Sequence, residues 1–179
     1  MEIFSVILEE INDVISKVNE SDLKKAASAI NKERRIFVHG EGRSGLMAKG
    51  FAMRLMHLGY NVYVVGETIT PSLSKGDLFI GVSGSGKSAN IINDTKKAKK
   101  SGCEILVFTS NENSELSKEA DNILVVPGTV KGDVGSDRKS VQLLSSLFDQ
   151  CIHIVLDGLC LYLSWRDNIS DDSATKTHW

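Results

Sequence analysis

Short apolar runs alternate along this chain with stretches of helical periodicity, and that alternation limits the fold more than any other feature. Ile36–His39, Asn61–Val65, Leu78–Val82, Glu104–Thr109 and Ile123–Val126 read as buried strands. Between them the spacing predicts a helix over about Ser44–Leu58, stopped by Gly59. A lysine-rich helix ending near Ser101-Gly102 and a short one over Ser114–Ala120 follow. Strand and helix in repetition imply an α/β fold: three layers, a five-stranded parallel sheet and helices on both faces, flavodoxin-like in plan.

Outside this core, Ile3, Ile7, Ile11, Val14, Ile15 and Val18 recur at helical spacing, and a second helix is expected from the cap residue Ser21 through Ile30. Residues 128–140 read as a polar loop. A long apolar helix is expected over Val141–Trp165, and the tail from Arg166 reads as polar and loose without a partner. No repeat or linker interrupts the pattern. The 179 residues are therefore expected to form one domain: N-terminal helices over 1–30, an α/β core over 31–165 and a tail over 166–179.

Charge and cysteine usage exclude some functions. A net charge of −2 gives no long-range attraction to nucleic acid or to an anionic membrane. The apolar run Cys151–Leu163 contains His153 and Asp157 and is too short to span a bilayer. Cys103, Cys151 and Cys160 lack metal-ligand spacing and sit in apolar surroundings, which predicts reduced thiols and a cytoplasmic protein. The first and last long helices carry more apolar surface than one small sheet needs, so a homo-oligomer is expected.

Two glycine-rich loops directly follow strands and so belong on the ligand-binding edge of such a sheet. Gly40-Glu41-Gly42-Arg43-Ser44-Gly45 fits a dinucleotide pattern, with Glu67 roughly 20 residues on, yet Arg43 and Ser44 are bulky where a pyrophosphate needs close approach. Gly81-Val82-Ser83-Gly84-Ser85-Gly86-Lys87-Ser88 fits the pattern of nucleoside triphosphatases, in which Lys87 would reach the outer phosphates and Ser88 would hold magnesium. The acid that should complete a magnesium site at the end of a later strand is missing. Both loops together suit a third ligand. Ser83, Ser85, Ser88 and Ser44 offer four hydroxyls, Gly84 and Gly86 allow backbone N–H groups to approach, and Arg43 adds charge. One phosphate could be held there without metal. The bland readings are that the serines merely cap helices and that Arg43 and Lys87 are solvated charges.

At these positions the chain resembles a known family. His39–Gly45 with Ser83–Ser88 is similar to the sugar isomerase (SIS) domain. Glu41–Gly45, Phe51–Gly59, Val64–Thr68, Thr70-Pro71 and Ser146-Leu147-Phe148-Asp149-Gln150 resemble the 6-phospho-3-hexuloisomerases. The likeness runs from the first helix to about Trp165. It implies conversion of 3-hexulose 6-phosphate to fructose 6-phosphate, a step of formaldehyde fixation, by a tetramer that uses no metal or cofactor. It also implies that Arg43, Ser44 and Ser83–Ser88 bind the sugar phosphate and that Asp149 stands where the family carries a glutamate base. The chain departs from the family at Asp149 itself, at Leu143-Leu144 in place of a proline or methionine followed by glycine, and in the tail around His178.

Moving a carbonyl along a ketose phosphate needs one carboxylate to shuttle a proton through a cis-enediol, and a second group to serve the oxygens. His57, Glu67 and His178 are the candidates for that second role. Two other readings remain beside the main one: an SIS isomerase for a different phosphosugar, and a non-catalytic phosphosugar sensor.

Overall fold

A computed structural model describes residues 2–178, apart from the side chain of Asp137. Two helices, α1 (Ile3–Ile15) and α2 (Glu20–Ala29), precede a regular alternation. It comprises β1 (Ile36–Gly40), α3 (Gly42–His57), β2 (Val62–Val64), β3 (Leu78–Val82), α4 (Ala89–Lys100), β4 (Glu104–Thr109) and β5 (Asn122–Val125). The chain ends with the long α5 (Ser146–Arg166) and a short α6 (Asp171–Thr175). All strand pairs are parallel, in the order β2-β1-β3-β4-β5.

The two faces of the sheet follow from the period of two along each strand. Ile36, Val38, Ile80, Leu106 and Phe108 enter the larger core, beneath α1, α2, α3 and α5. Phe37, Phe79, Ile105 and Val107 enter a smaller core closed by Ile91, Ile92 and Ala98 of α4. Full burial of each of these large side chains contributes about 1.5–3 kcal/mol, so the apolar strands fix the layers before any site exists. Helix α5 is long and apolar enough to cross a membrane by composition alone, but about half of its most apolar stretch is buried in the larger core.

Sheet order places the site. Chain progression reverses between β1 and β3, so the loops after these strands diverge and leave a crevice at their carboxyl ends. Gly40 pairs in register with Val82, which brings both glycine-rich loops to one edge. Glycine is required where α3 meets β1: a Cβ on Gly45 would lie 2.5 Å from the Gly40 carbonyl oxygen.

Four expectations change. Helix α5 starts at Ser146 rather than Val141 because Glu10 of α1 holds the preceding segment out of the helix. Its carboxylate accepts hydrogen bonds from Ser140 Oγ (2.7 Å), Val141 N (2.8 Å) and Gln142 Nε2 (2.9 Å). The tail is not loose. Ser170 caps α6, and Thr177 Oγ1 donates to the His57 carbonyl at 2.9 Å. Strand β2 is shorter than expected, Val62–Val64 in place of Asn61–Val65. The helix expected over 114–120 is only a 3-10 turn, Ser117–Glu119.

Gly45→Ala should destabilise the protein by about 1–3 kcal/mol, because the added methyl meets backbone rather than a movable side chain. Gly50→Ala on the same helix meets nothing within 4 Å and should be neutral or stabilising. Urea unfolding of the two variants measures the contrast.

Candidate active site

At the crevice lies a cavity of about 380 Å³. Its walls come from the start of α3 (Glu41 at its N-cap, Arg43 and Ser44 in its first turn), the serine loop (Ser83, Gly84, Ser85, Ser88), the segment before α5 (Val130, Lys131, Leu144, Ser145) and the first turn of α5 (Asp149).

The serine loop is shaped by its glycines. Gly86 has φ +61°, and a Cβ there would overlap Ser114. Gly84 lies against Val130 and Phe148, where a Cβ would come within 2.7 Å and 2.9 Å of their side chains. Ser83 Oγ accepts from Gly86 N at 3.2 Å and Ser85 Oγ from Lys87 N at 3.3 Å, so both hydroxyl hydrogens remain for a ligand. Ser88 holds the N-cap position of α4, yet its hydroxyl makes no capping bond. Three serines and the start of a helix thus line one cavity, an arrangement suited to a phosphate.

Asp149 lines the same cavity, a carboxylate only 2 % exposed. Its Oδ1 accepts from Ser44 Oγ at 2.9 Å. Arg43 Nε lies 3.6 Å from Oδ2, while another guanidinium nitrogen of Arg43 donates to Ser146 Oγ at 2.7 Å. Among the described residues Oδ2 is buried without a hydrogen-bond partner. Burial raises the Asp149 carboxyl above the ordinary aspartate range, against the opposing pull of the Ser44 hydrogen bond and the Arg43 charge. A carboxylate with one oxygen anchored and one unpaired, facing a cavity, is equipped to take up a proton.

Seven sequence candidates line this cavity: Arg43, Ser44, Ser83, Gly84, Ser85, Ser88 and Asp149. Gly86 supports the loop from below. Lys87 is exposed and lines a neighbouring cavity, so it is not in position as a phosphate ligand of the first. Glu67 is also exposed and pairs with Lys49 at 2.7 Å instead of entering the site. His57 and His178 face each other with ring centroids 5.1 Å apart. His57 is 13 residues along α3 from Ser44, about 20 Å at about 1.5 Å per residue. Burial lowers its pKa, helped by the nearby His178 and Arg54. Within one chain, therefore, neither histidine nor Glu67 serves Asp149 as the second group.

Sequence reasoning missed Glu41, Val130, Lys131 and Ser145 as site residues, and marked Leu144 only as a departure from the glycine of the family that the chain resembles. Val130, Lys131, Leu144 and Ser145 lie in the segment before α5. Leu144 adopts φ +54°, a left-handed conformation that suits glycine better than leucine. Among the described residues, no group of three or more His, Cys, Asp or Glu side chains is placed to hold a metal ion.

A crevice at the switch point lined by a serine loop and a buried carboxylate defines a phosphosugar-binding α/β protein. The chain belongs to the SIS domain family, whose pattern matches residues 29–153. It is 37 % identical to 3-hexulose-6-phosphate isomerase of Bacillus subtilis, over 96 % of this chain and 93 % of that one. To the 3-hexulose-6-phosphate isomerase of Mycobacterium gastri it is 39 % identical, over 87 % of this chain and 77 % of the other. A crystal structure from Methanococcus jannaschii, for which 3-hexulose-6-phosphate isomerase function was inferred, superposes with a TM-score of 0.86 at 31 % identity. That match covers 100 % of this chain and 98 % of the other.

Because the Asp149 pKa is raised on folding, ionised Asp149 costs stability at neutral pH, and the cost fades as pH falls through the raised pKa. Asp149→Asn should therefore melt at or above the wild-type temperature at pH 7, and the difference should shrink toward pH 4. Thermal denaturation at the two pH values provides the check.

Proposed function

We propose that this chain is a phosphosugar isomerase that converts 3-hexulose 6-phosphate to fructose 6-phosphate. The observation that carries the reading is the buried, half-anchored carboxylate of Asp149, in one cavity with the three hydroxyls of the serine loop. Relatives bearing that enzyme name, at 37 % and 39 % identity, support the substrate.

The serine loop holds the phosphate, and binding energy spent there brings C2 and C3 of the sugar toward Asp149. Asp149 Oδ2 takes the proton from C2 while the C3 carbonyl oxygen gains one, which gives the 2,3-enediol. The same carboxyl then returns its proton to C3 as the C2 oxygen loses its own and becomes the carbonyl. Ser44 fixes the carboxylate through Oδ1. Arg43, beside Oδ2, favours its ionised form before reaction and offsets charge developing on the enediol oxygens.

Outward-facing apolar side chains support an oligomer. Ile3, Phe4 and Leu8 of α1 are exposed, as are Val141 and Leu143 before α5 and Leu161 and Trp165 on α5. A tetramer fits the family resemblance. In it a neighbouring chain would supply the group that serves the sugar oxygens, and the His178 tail is the candidate. We place the protein in the cytoplasm, in a formaldehyde-fixing sequence, with the whole chain acting as one domain.

Asp149→Asn should lower kcat by on the order of 10²- to 10⁴-fold while fructose 6-phosphate still raises the melting temperature. In the wild type the acid limb of kcat/KM should lie above the ordinary aspartate range, because the base must be ionised and its pKa is raised. Sugar-phosphate binding without any hexulose interconversion would favour the sensor reading. Light scattering at micromolar concentration should give an oligomer mass, and a monodisperse monomer would refute the assembly.

A further inference from the structure

Two of the four charged side chains around the cavity are acids, Glu41 and Asp149, and two are cations, Arg43 and Lys131. Arg43 is already committed, with one guanidinium nitrogen on Ser146 Oγ and another 3.6 Å from Asp149. A dianionic phosphate that entered with only the serine hydroxyls for company would meet a cavity whose remaining balance is set by Lys131.

The position of Lys131 is not that of an incidental surface lysine. Its backbone N–H donates to Ser145 Oγ at 2.9 Å. The residue before it, Val130, is buried against Gly84 of the serine loop, where a Cβ would come within 2.7 Å of its Cγ1. Val130 N in turn donates to Asp133 at 2.9 Å. The residue preceding Lys131 thus packs on the serine loop, while the Lys131 side chain is exposed. Together with Ser85 and Val130, Lys131 forms the wall between the main cavity and a second one of about 390 Å³. Among the described residues its ammonium has no acid partner.

We propose that Lys131 is a specificity-determining residue. Its ammonium closes over the outer oxygens of the phosphate held by Ser83, Ser85 and Ser88, and selects phosphorylated over neutral sugars. This rests on the phosphosugar-isomerase reading for its substrate, but the anion contact is independent of turnover. An ammonium on a flexible stem suits this role, since it can follow the phosphate as substrate enters and product leaves.

The test uses the full chain as wild type, Lys131→Met, Lys131→Arg and, as a charge-matched control far from the cavity, Lys96→Met on α4. Inorganic phosphate and fructose 6-phosphate are titrated by thermal shift, and KM and kcat are measured for hexulose 6-phosphate. In Lys131→Met the affinity for both phosphates should fall and KM should rise about tenfold, with kcat changed by less than about threefold. Lys131→Arg should recover most of the affinity, and Lys96→Met should match wild type. Phosphate affinity unchanged in Lys131→Met, or a fall in kcat at constant KM, overturns the proposal. A wild type that binds phosphate through Lys131 but never isomerises keeps this residue's role and refutes the isomerase reading instead.

Discussion

The hydrogen bond from Ser44 to the buried carboxylate of Asp149 joins the first turns of α3 and α5 at the crevice edge. Burying a carboxylate is costly unless its oxygens are partnered. Here one oxygen accepts from a hydroxyl and the other is buried with no hydrogen-bond partner among the described residues, 3.6 Å from an arginine that also binds Ser146. The fold tolerates the arrangement because both helices are held by extensive apolar packing beneath it, including fully buried Phe148, Ile152 and Leu159 of α5 and Leu55 of α3. The unpartnered oxygen is a local cost, while the packing that supports it is distributed over two helices.

The segment that closes the cavity depends on the far end of the chain. Glu10 of α1 gathers Ser140, Val141 and Gln142. Burial works to raise its pKa, but those hydrogen bonds, with the charge of Arg138, outweigh it and hold the carboxyl below its ordinary value. The N-terminal helix, which has no part in the sheet, thereby sets where Leu144 and Ser145 sit in the active site. Its outer face leaves Ile3, Phe4 and Leu8 exposed, and Ile3 shares the wall of a separate, apolar cavity with Val141 and Leu143.

Much of the fold was legible because it rests on local rules. Alternating apolar residues in β1 and β3 divide between the two cores as the period of two requires, and Gly59 ends α3 in a left-handed turn at φ +83°. The errors lie where a distant group overrides local preference. Residues 141–145 carry helical apolar spacing but are captured by Glu10, some 130 residues away in sequence. The tail looked unsupported because nothing in its own letters reveals that Thr177 would find the carbonyl of His57.

The sequence by itself determined the sheet, its two faces, and the placement of two glycine-rich loops after β1 and β3. These depend on backbone periodicity and on where a Cβ is missing. Only the tertiary structure decided which side chains meet. Ser44 and Asp149 are 105 residues apart, and their contact exists because α3 and α5 pack side by side with their first turns level. His57 lies at the opposite end of α3, and Lys131, which no motif marks, lines the same cavity as the serine loop. Convergence of this kind is set by helix placement over long sequence separations, a property of the packed core that no window of residues contains.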